Sequence, residues 1–583
     1  MEYIKLAEAF LKMESTTKRI ALTDYLSELL RQTPPDLIGK VVYLIQGRLY
    51  PNFVGIEIGI AEKLAVRAVS IATGLSADDV IRTLDRTGDI GDTAYEELQK
   101  VPREAKEPLT VDRVYSTLDK IARTSGPGST DTKISMLADL LKAATPLEAK
   151  YIVRTVTGKL RLGVADMTIL DALAIVFGGG KESRAEIERA YNITSDLGAV
   201  AEAVERRGLD GLRDFRITVG KPVRPMLAER LKTPEEILAK MGGRCVVEFK
   251  YDGERIQIHK RENEVILFSR RIENITNQYP DVVELARESV DADIAILEAE
   301  IVALNPETGE MRPFQELMRR RRKYGIEEMA KEFPASLFYF DCLYSNGRDL
   351  TQLPFLERRE ELKRIIKPID RARLVEYEMV DNVGELQVFF ERAIQEGTEG
   401  VICKAIGPYT FYQAGSRGWL WIKYKREYRS EMTDTVDLVV VGAYYGRGKR
   451  AGVYGSLLMA AYDPDRDMFD TVTRLGAGFT DKDLAELPAM LEPYKIPNCH
   501  ARVNAKEKPD VWFVPAVVLE VIGAEITLSP LHTAGQDIFR HGSGLAIRFP
   551  RFTGKYRKDK APEDATTVQE IVEMYRSKLR KVA

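Results

Sequence analysis

The chain has 583 residues, of which 44% are hydrophobic and 30% charged, and its formal net charge is −3. This composition argues against disorder and is typical of a soluble protein with about three to five domains. No apolar run approaches the length of a membrane span, and the first residues lack the features of a signal peptide. The four cysteines, at positions 245, 342, 403 and 499, are too far apart for zinc pairs, and they argue against a disulfide framework. We predict a cytoplasmic protein that does not bind membranes.

The first region, residues 1–217, shows helical periodicity almost throughout. In residues 135–144, for example, apolar side chains recur at the spacing of one helix face. Near the end of this region Gly163 lies in a loop, residues 158–165, that precedes another predicted helix. Small residues there would let the backbone approach a ligand, and a helix N-terminus attracts phosphate. The alternative is a plain loop between helices.

The pattern changes in the second region, residues 218–425, after a linker that contains two prolines. Strand-like and helix-like segments alternate here, which predicts an α+β domain. The third region, residues 426–583, has short strand-like runs separated by glycine-rich turns and ends in an amphipathic helix near residues 568–581. That pattern is typical of a small β-barrel.

Lys250 stands at the end of an apolar strand in the second region. A buried lysine is costly unless its charge is used or its pKa has fallen, and the turn at Asp252-Gly253 would present the amine to a pocket. Taken alone, the segment could be an ordinary hairpin. A lysine beside other cations can become a nucleophile, and the sequence offers the neighbours Lys404, Lys423 and Lys425.

Carboxylates recur on the strands that follow. Glu298 and Glu300 alternate along one strand, so both side chains point to one face, and Glu399 precedes another apolar run. Carboxylate oxygens suit Mg²⁺, although acids on an exposed edge strand would look the same. The strand at residues 338–341 offers an aromatic platform, although an aromatic strand is more commonly part of a core.

Three basic runs, at residues 319–323, 417–429 and 548–560, interrupt the near-neutral chain. A single run of this kind is usually a solvated face. Three runs, two of them interleaved with aromatic residues, favour a surface that follows phosphates.

Taken in order, these segments resemble the ATP-dependent DNA ligases of the archaeal and eukaryotic type, which are covalent nucleotidyltransferases. The resemblance covers nearly the whole chain and rests on residues 250–255, 268–270, 297–300, 338–341, 399–404, 421–425 and 557–560. It implies an all-α DNA-binding domain over residues 1–217, an α+β adenylation domain over residues 218–425, and a β-barrel of the oligonucleotide-binding (OB) fold with a C-terminal helix over residues 426–583.

The resemblance also implies roles for individual residues. Lys250 would attack the α-phosphate of ATP, Glu248 would accept a hydrogen bond from the adenine amino group, and Phe340 would stack on the base. Glu300 matches a ribose and metal position and Glu399 a metal ligand. The family's usual Asp-x-Glu is here Glu298-Ala-Glu300. The remaining implied positions are the phosphate and nick cations Arg255, Arg270, Arg417, Lys423 and Lys425, the closing-motif cations Arg557 and Lys560, the helical-domain DNA contacts Arg161, Gly163 and Ala165, and the minor-groove phenylalanines Phe314 and Phe549.

The implied activity is the sealing of 5′-phosphate/3′-hydroxyl nicks through a lysyl-AMP and a DNA-adenylate, in replication, repair and recombination. The implied cofactors are ATP and Mg²⁺, with Mn²⁺ as an alternative metal. Nicked double-stranded DNA and a sliding clamp are the implied partners of a monomeric, nucleoid-associated protein. No segment gives a convincing clamp-binding peptide, and the sequence leaves open whether ADP, NAD or GTP replaces ATP.

Four other functions share features with this sequence. RNA ligases and mRNA capping enzymes share the lysine motif but do not resemble the helical front region. An NAD-dependent ligase is disfavoured because the four-cysteine zinc module is missing from this sequence. A scaffold that binds nicks without catalysis would form no lysyl adenylate.

Overall fold

A computed structural model describes residues 1–102, 107–304, 311–312, 314–321, 325–425, 435–446 and 452–580. Contacts between α-carbons divide the chain into two compact units. The first unit takes residues 1–80 and 90–425, and the second takes residues 81–89 and the chain from residue 426 onward. Among the described helices, none is long and apolar enough to cross a membrane.

The first region is helical, as its periodicity predicts. Helix starts are fixed by side chains: the Thr110 hydroxyl accepts from the Arg113 amide, and Thr145 and Glu148 form a capping box. Most of these helices bury an apolar face. The helices are α1 Tyr3–Glu14, α2 Arg19–Gln32, α3 Ile38–Ile45, α4 Glu62–Thr73, α5 Ala77–Thr87, α6 Ile90–Gln99, α7 Val111–Arg123, α8 Ser129–Ala143, α9 Pro146–Val156, α10 Asp166–Phe177, α11 Arg184–Thr194 and α12 Leu197–Arg207.

The central region contains two mixed sheets flanked by helices, which confirms the predicted α+β class. In chain order its elements are β1 Leu227–Arg230, α13 Pro234–Lys240, β2 Cys245–Lys250, β3 Glu254–Arg261, β4 Glu264–Ser269, α14 Pro280–Ser289, β5 Ile294–Ala303, α15 Phe314–Leu317, α16 Ile326–Glu332, β6 Ala335–Ser345, β7 Arg348–Asp349, α17 Phe355–Ile365, β8 Ala372–Leu374, β9 Tyr377–Val380, α18 Val383–Gln395, β10 Gly400–Ala405 and β11 Arg417–Lys425. One sheet has the strand order β1-β11-β10-β2-β9. The other has the order β4-β3-β5-β6-β7, with β8 parallel to β6.

Strand register brings the predicted site residues together. In the first sheet Gly400 of β10 lies opposite both Lys250 of β2 and Lys425 of β11. In the second sheet Glu300 of β5 lies opposite Arg255 of β3 and Phe338 of β6. Because β2 runs directly into β3, the ends of the two sheets meet beside Lys250.

The carboxyl-terminal region is a curled sheet that forms a partial barrel around an apolar core. Strand β12 pairs with both β13 and β18, β13 pairs with β14, and β18 pairs with β21. A single bridge between Ala477 and Arg551 joins the end of β14 to β21. The elements are β12 Val436–Tyr445, β13 Tyr454–Asp463, β14 Met468–Leu475, α19 Asp481–Leu491, β15 Lys495–Ile496, β16 Val503–Asn504, β17 Val511–Phe513, β18 Val518–Ile522, β19 Glu525–Ser529, β20 Gly544–Arg548, β21 Arg551–Tyr556 and α20 Val568–Arg580.

Candidate active site

The predicted site residues of the central region line one cavity of about 500 Å³. These residues are Glu248, Lys250, Arg255, Arg270, Glu300, Phe314, Phe340, Glu399, Arg417, Lys423 and Lys425. The other predicted residues lie elsewhere: Arg161, Gly163 and Ala165 in the helical region, and Phe549, Arg557 and Lys560 in the second unit.

Lys250 is the last residue of β2, and the turn that follows it depends on Gly253. A β-carbon on Gly253 would lie 2.1 Å from the carbonyl oxygen of Ile301, so only glycine fits between this turn and β5. The Lys250 ammonium donates to Glu399 Oε2, and Lys425 Nζ lies 2.7 Å from the same oxygen. These three side chains are 17% to 23% exposed. Two ammonium groups therefore share one carboxylate in the wall of the cavity.

The carboxyl groups of the cavity ionise differently from one another. Burial raises the pKa of Glu399, but the charges of Lys250 and Lys425 outweigh it, and the pKa lies below its usual value. Burial raises the pKa of Glu300 to about 7, despite the opposing charge of Lys250. Burial, and then the charge of Glu399, raise the pKa of Asp252 to about 6. The cavity therefore holds more carboxyl groups than can all ionise easily together at neutral pH.

Glu300 and Glu399, the predicted metal ligands, both line the cavity. Within the described ranges, no group of three or more His, Cys, Asp or Glu side chains is arranged to hold a metal ion. Mg²⁺ commonly takes one or two carboxylates and fills its remaining positions with water and substrate phosphates. The two glutamates fit a divalent cation that arrives together with a phosphate ligand.

Four cations of the cavity, Arg271 and three others, have no ion-pair partner among the described residues. Arg270, Arg417 and Lys423 have no acidic side chain within 4 Å among the residues that the structure describes. Burial lowers the pKa of Lys423, and the charges of Lys425 and Arg417 lower it further. Burial also lowers the pKa of Arg270. Such a concentration of uncompensated positive charge favours a polyanionic ligand.

Glu248 lies deeper in the cavity and is only 2% exposed. Its Oε2 lies 2.7 Å from Lys404 Nζ, and its Oε1 accepts from Arg359. Lys404 pairs in register with Val246, whereas Gly400 pairs with Lys250. Lys404, predicted as a neighbour of Lys250, lines the same cavity, and its ammonium is bound to Glu248. Each carboxylate oxygen keeps a second lone pair that can accept from a ligand amino group.

Arg255 is anchored by protein groups. Its Nη2 lies 2.8 Å from both oxygens of Glu298, and its Nη1 donates to the Met226 carbonyl at 2.7 Å. Glu298 is 1% exposed, so this pair is buried. Burial lowers the pKa of Arg255, but Glu298, Tyr412 and Glu300 together raise it above its usual value. Glu298 thus holds the guanidinium in the cavity wall, where its Nε has no partner in the described structure.

Phe340 owes its position to an irregularity in β6. The register shifts between Glu298 and Ala299, and Phe340 is the additional residue on the opposite strand. Its half-buried ring lines the cavity and meets Trp421 edge to face, with centroids 6.3 Å apart. Phe338 instead stacks on Tyr251, with centroids 3.9 Å apart, and is buried. One ring of the aromatic strand therefore faces the cavity while its neighbours belong to the core.

The predicted DNA-contacting loop of the helical region is exposed and immediately precedes α10. Arg161 and Gly163 both have positive φ, 49° and 73°, and Ala165 is the N-terminal cap residue of the helix. A β-carbon on Gly163 would meet nothing within 4 Å, so glycine is required for the backbone conformation and not for space. The backbone of this loop is open to a ligand.

The two predicted minor-groove phenylalanines differ in exposure. Phe549 is 73% exposed in the turn between β20 and β21, with a φ of 50°. Phe314 begins the short helix α15, where it is half-buried against the core of the central region. Its amide donates to Asp252 Oδ2 at 3.2 Å. Only Phe549 is presented as a free apolar side chain.

The closing-motif cations are ion-paired within the second unit. Arg557 Nη1 lies 2.8 Å and Lys560 Nζ 2.7 Å from Asp437 Oδ2. Parts of the basic runs at residues 319–323 and 417–429 lie outside the described residues.

Two residues that contribute to the site were not found from the sequence. Arg359 binds Glu248, and the Tyr412 hydroxyl accepts from the Met226 amide at 2.9 Å beside Arg255. No motif marks either residue. The available clue was a pair of arginines, Arg358 and Arg359, on the buried face of helix α17.

Three family models match the chain in order. They are described as DNA ligase N terminus (residues 2–174), ATP dependent DNA ligase domain (residues 225–425) and ATP dependent DNA ligase C terminal region (residues 450–560). The chain is 56% identical to DNA ligase 2 of Thermofilum pendens, covering 99% of this chain and 98% of that protein. It is 51% identical to the DNA ligase of Staphylothermus marinus, covering 100% of both. The solved structure titled Pmar-Lig_Pre. is similar in fold, with a TM-score of 0.54 at 18% identity over 95% of this chain and 99% of that one.

Proposed function

Because the chain belongs to the family of ATP-dependent DNA ligases, we propose that the cavity beside Lys250 is where it transfers AMP during nick sealing. Family membership gives the overall reaction, the ATP-driven joining of DNA ends at a nick. One observation carries the assignment to this cavity. Lys250 is bound to Glu399 in a space where, within the described ranges, Arg270, Arg417 and Lys423 have no acidic side chain within 4 Å.

In the first step the Lys250 amine attacks the α-phosphorus of ATP. A bond forms between nitrogen and phosphorus, and the bond to pyrophosphate breaks. The attacking nitrogen must carry a free electron pair, so the ammonium of Lys250 has to give up a proton before the bond forms. Arg270, Arg417 and Lys423 would stabilise the negative charge that moves onto the leaving pyrophosphate.

In the second step a 5′-phosphate oxygen of the nick attacks the lysyl-bound phosphorus, and the amine leaves. In the third step the 3′-hydroxyl attacks the DNA-adenylate, which forms the phosphodiester and releases AMP. Phe340 would stack on the adenine, and Glu248 would accept from its amino group. Held in this way, the adenylate keeps one place while its bonding partner changes.

We assign Glu300 and Glu399 as the ligands of a divalent cation, Mg²⁺ or in its place Mn²⁺. Such a cation supplies positive charge to phosphate oxygens at the reacting centre. Glu298 holds Arg255 in the adjoining wall of the cavity, and neither residue is assigned as a metal ligand.

We also propose the division of labour that the resemblance implies. Residues 1–217 would hold DNA, residues 218–425 would carry adenylation, and residues 426–583 would form the OB-fold domain. The residues for the DNA and pyrophosphate contacts are Arg161, Gly163, Ala165, Phe314, Phe549, Arg557 and Lys560. The proposed cellular context is a monomer that works with a sliding clamp in replication, repair and recombination.

The test is incubation with ATP labelled at the α-phosphate. We expect a labelled adduct on the protein that is stable to alkali and labile to acid, as a phosphoramidate is. As a control, Lys232→Ala changes an exposed lysine outside the cavity and should form the same adduct as the wild type. A second assay would measure sealing of a labelled nick with ATP, ADP, NAD and GTP in turn. Sealing without an adduct would contradict the proposal.

A further inference from the structure

A second cavity, of about 400 Å³, lies between the helical region and the central region of the first unit. Its wall includes Arg48, Arg224, Arg270 and Arg271, and it shares Leu227 and the last two arginines with the cavity beside Lys250. We propose that this second cavity binds a backbone phosphate of the nicked DNA, next to the phosphate that reacts. The inference rests on the proposed function and adds a DNA subsite to it.

The charge of the cavity fits an anion. In the described part of the chain, Arg48 and Arg271 have no acidic side chain within 4 Å. Arg48 Nη1 donates to the neutral side chain of Asn52 at 2.7 Å, which aims the guanidinium without neutralising it. Arginine is suited to phosphate because its planar donors match two phosphate oxygens at once.

Two carboxylates also line this cavity, but both have partners. Asp166 accepts from the Tyr191 hydroxyl at 2.5 Å and lies 3.5 Å from Arg224. Glu273 lies 3.6 Å from Arg321. Both carboxylates therefore already interact with polar or cationic groups of the protein. The positive charge of Arg48 and Arg271 remains available to a ligand.

The position of the cavity suggests which anion it takes. Asp166 is the first residue of α10 and follows Ala165, the last residue of the exposed loop at residues 161–165. The loop, the second cavity and the cavity beside Lys250 thus adjoin one another in that order. A DNA backbone that touches the loop and delivers its 5′-phosphate to Lys250 would pass across Arg48 and Arg271.

Three contacts join the two walls of the second cavity. The Asn52 side-chain amide donates to the Arg271 carbonyl at 3.3 Å. Phe53 packs edge to face on Phe268, with centroids 6.4 Å apart. The Arg224 amide donates to the Asn192 carbonyl at 2.7 Å. A preformed site of this kind avoids part of the ordering cost of binding.

The first experiment measures binding to a nick that ends in a 3′-dideoxynucleotide and so cannot be sealed. Arg48→Ala should weaken binding by about threefold to tenfold and reduce the slope of log affinity against log salt by about one. Arg48→Lys, which keeps the charge, should recover part of the loss. The matched control is Arg67→Ala, an exposed arginine of α4 paired with Asp131, which should bind as the wild type does. Self-adenylation in the same preparations reports that the protein is folded.

The second experiment replaces single phosphates near the nick with uncharged methylphosphonates. In the wild type, one or two positions close to the nick should weaken binding. Arg48→Ala should lose little more at those positions, because the contact is already gone. Equal further losses at every position, or wild-type binding by Arg48→Ala, would overturn the inference. Failure of the proposed function would look different, since the wild type itself would then form no adduct and seal no nick.

Discussion

Two clusters at the cavity are built from the same chemical parts, one glutamate and two cations each. The first cluster has Glu399, which precedes β10 and is 22% exposed; the second has Glu248 of β2, which is 2% exposed and is bound by Arg359 from helix α17. The partners of the first are Lys250 and Lys425, and those of the second are Arg359 and Lys404.

The difference in burial separates their functions. Water and ligands can reach the Glu399 cluster, so its ion pairs can exchange for phosphate or a metal ion at modest cost. The Glu248 cluster is almost wholly buried, and breaking one of its pairs would leave a charge without a partner where water has little access. The first cluster is therefore suited to the transfer of AMP. The second stabilises the part of the cavity that would bind adenine.

The largest expected effect comes from removing the nucleophile of the exposed cluster. Lys250→Ala should reduce self-adenylation about a thousandfold or more, because no other group replaces the amine. It should still seal a nick that already carries AMP on its 5′-phosphate, since that step does not use the amine as a nucleophile. Lys425→Ala, which removes the other ammonium group, should keep a detectable adduct. A normal adduct in Lys250→Ala would end the assignment.

The buried cluster should respond in stability. Glu248→Gln leaves Arg359 and Lys404 facing a neutral side chain, and we expect the free energy of unfolding to fall by about 3–5 kcal/mol. The matched change Glu399→Gln, in the exposed cluster, should cost about 1 kcal/mol or less. Urea unfolding of both variants measures the difference. Equal losses would show that burial does not distinguish the two clusters.

Glu300 allows the effect of pH on stability to be tested at a carboxyl group outside both clusters. Its pKa is raised to about 7 in the folded protein, above the ordinary glutamate value of 4.5. The folded state thus holds more protons than the unfolded state between these values, so this group lowers stability as pH rises through that window. Glu300→Gln should therefore gain stability relative to wild type at pH 8 compared with pH 5. A stability difference independent of pH would contradict the raised pKa.

The smallest expected effect concerns a third cluster, Asp437 with Arg557 and Lys560 in the carboxyl-terminal unit. Arg557 is partly exposed, and Lys560 still pairs with Asp437 when Arg557 is removed. Arg557→Ala should therefore lower the thermal midpoint less than Glu248→Gln does. If this motif serves pyrophosphate release, self-adenylation should fall more than the sealing of pre-adenylated nicks. Equal losses in the two assays would assign Arg557 to DNA binding.

The sequence was sufficient to predict the site residues that lie on or next to strands. Lys250, Glu300 and Glu399 could be placed because strand alternation and turn residues fix where such side chains point. The central α+β sheets and the helical front region also followed from periodicity. The curled sheet of the third region was predicted as a barrel, and its edges are joined by the bridge between Ala477 and Arg551.

Long-range partners could not be predicted. Arg359 reaches Glu248 across 111 positions of the chain, and Lys404 points to Glu248 because of strand register. Neither relationship leaves a local pattern. The sequence showed only that Glu298 departs from the family's Asp-x-Glu, and the structure pairs it with Arg255; likewise the packing of Phe314 against the core leaves no local pattern.

Gly253, in the turn that follows Lys250, limits which substitutions directed evolution of this enzyme could accept. A library that randomises positions 250–255 should return glycine at 253 from every active clone, because even alanine would collide with the Ile301 carbonyl. Position 163 should accept many more residues, because a side chain there would meet no neighbouring atom. The one requirement at this position is a backbone with positive φ. Mutational tolerance would thus distinguish a glycine that is needed for room from one that is needed for conformation.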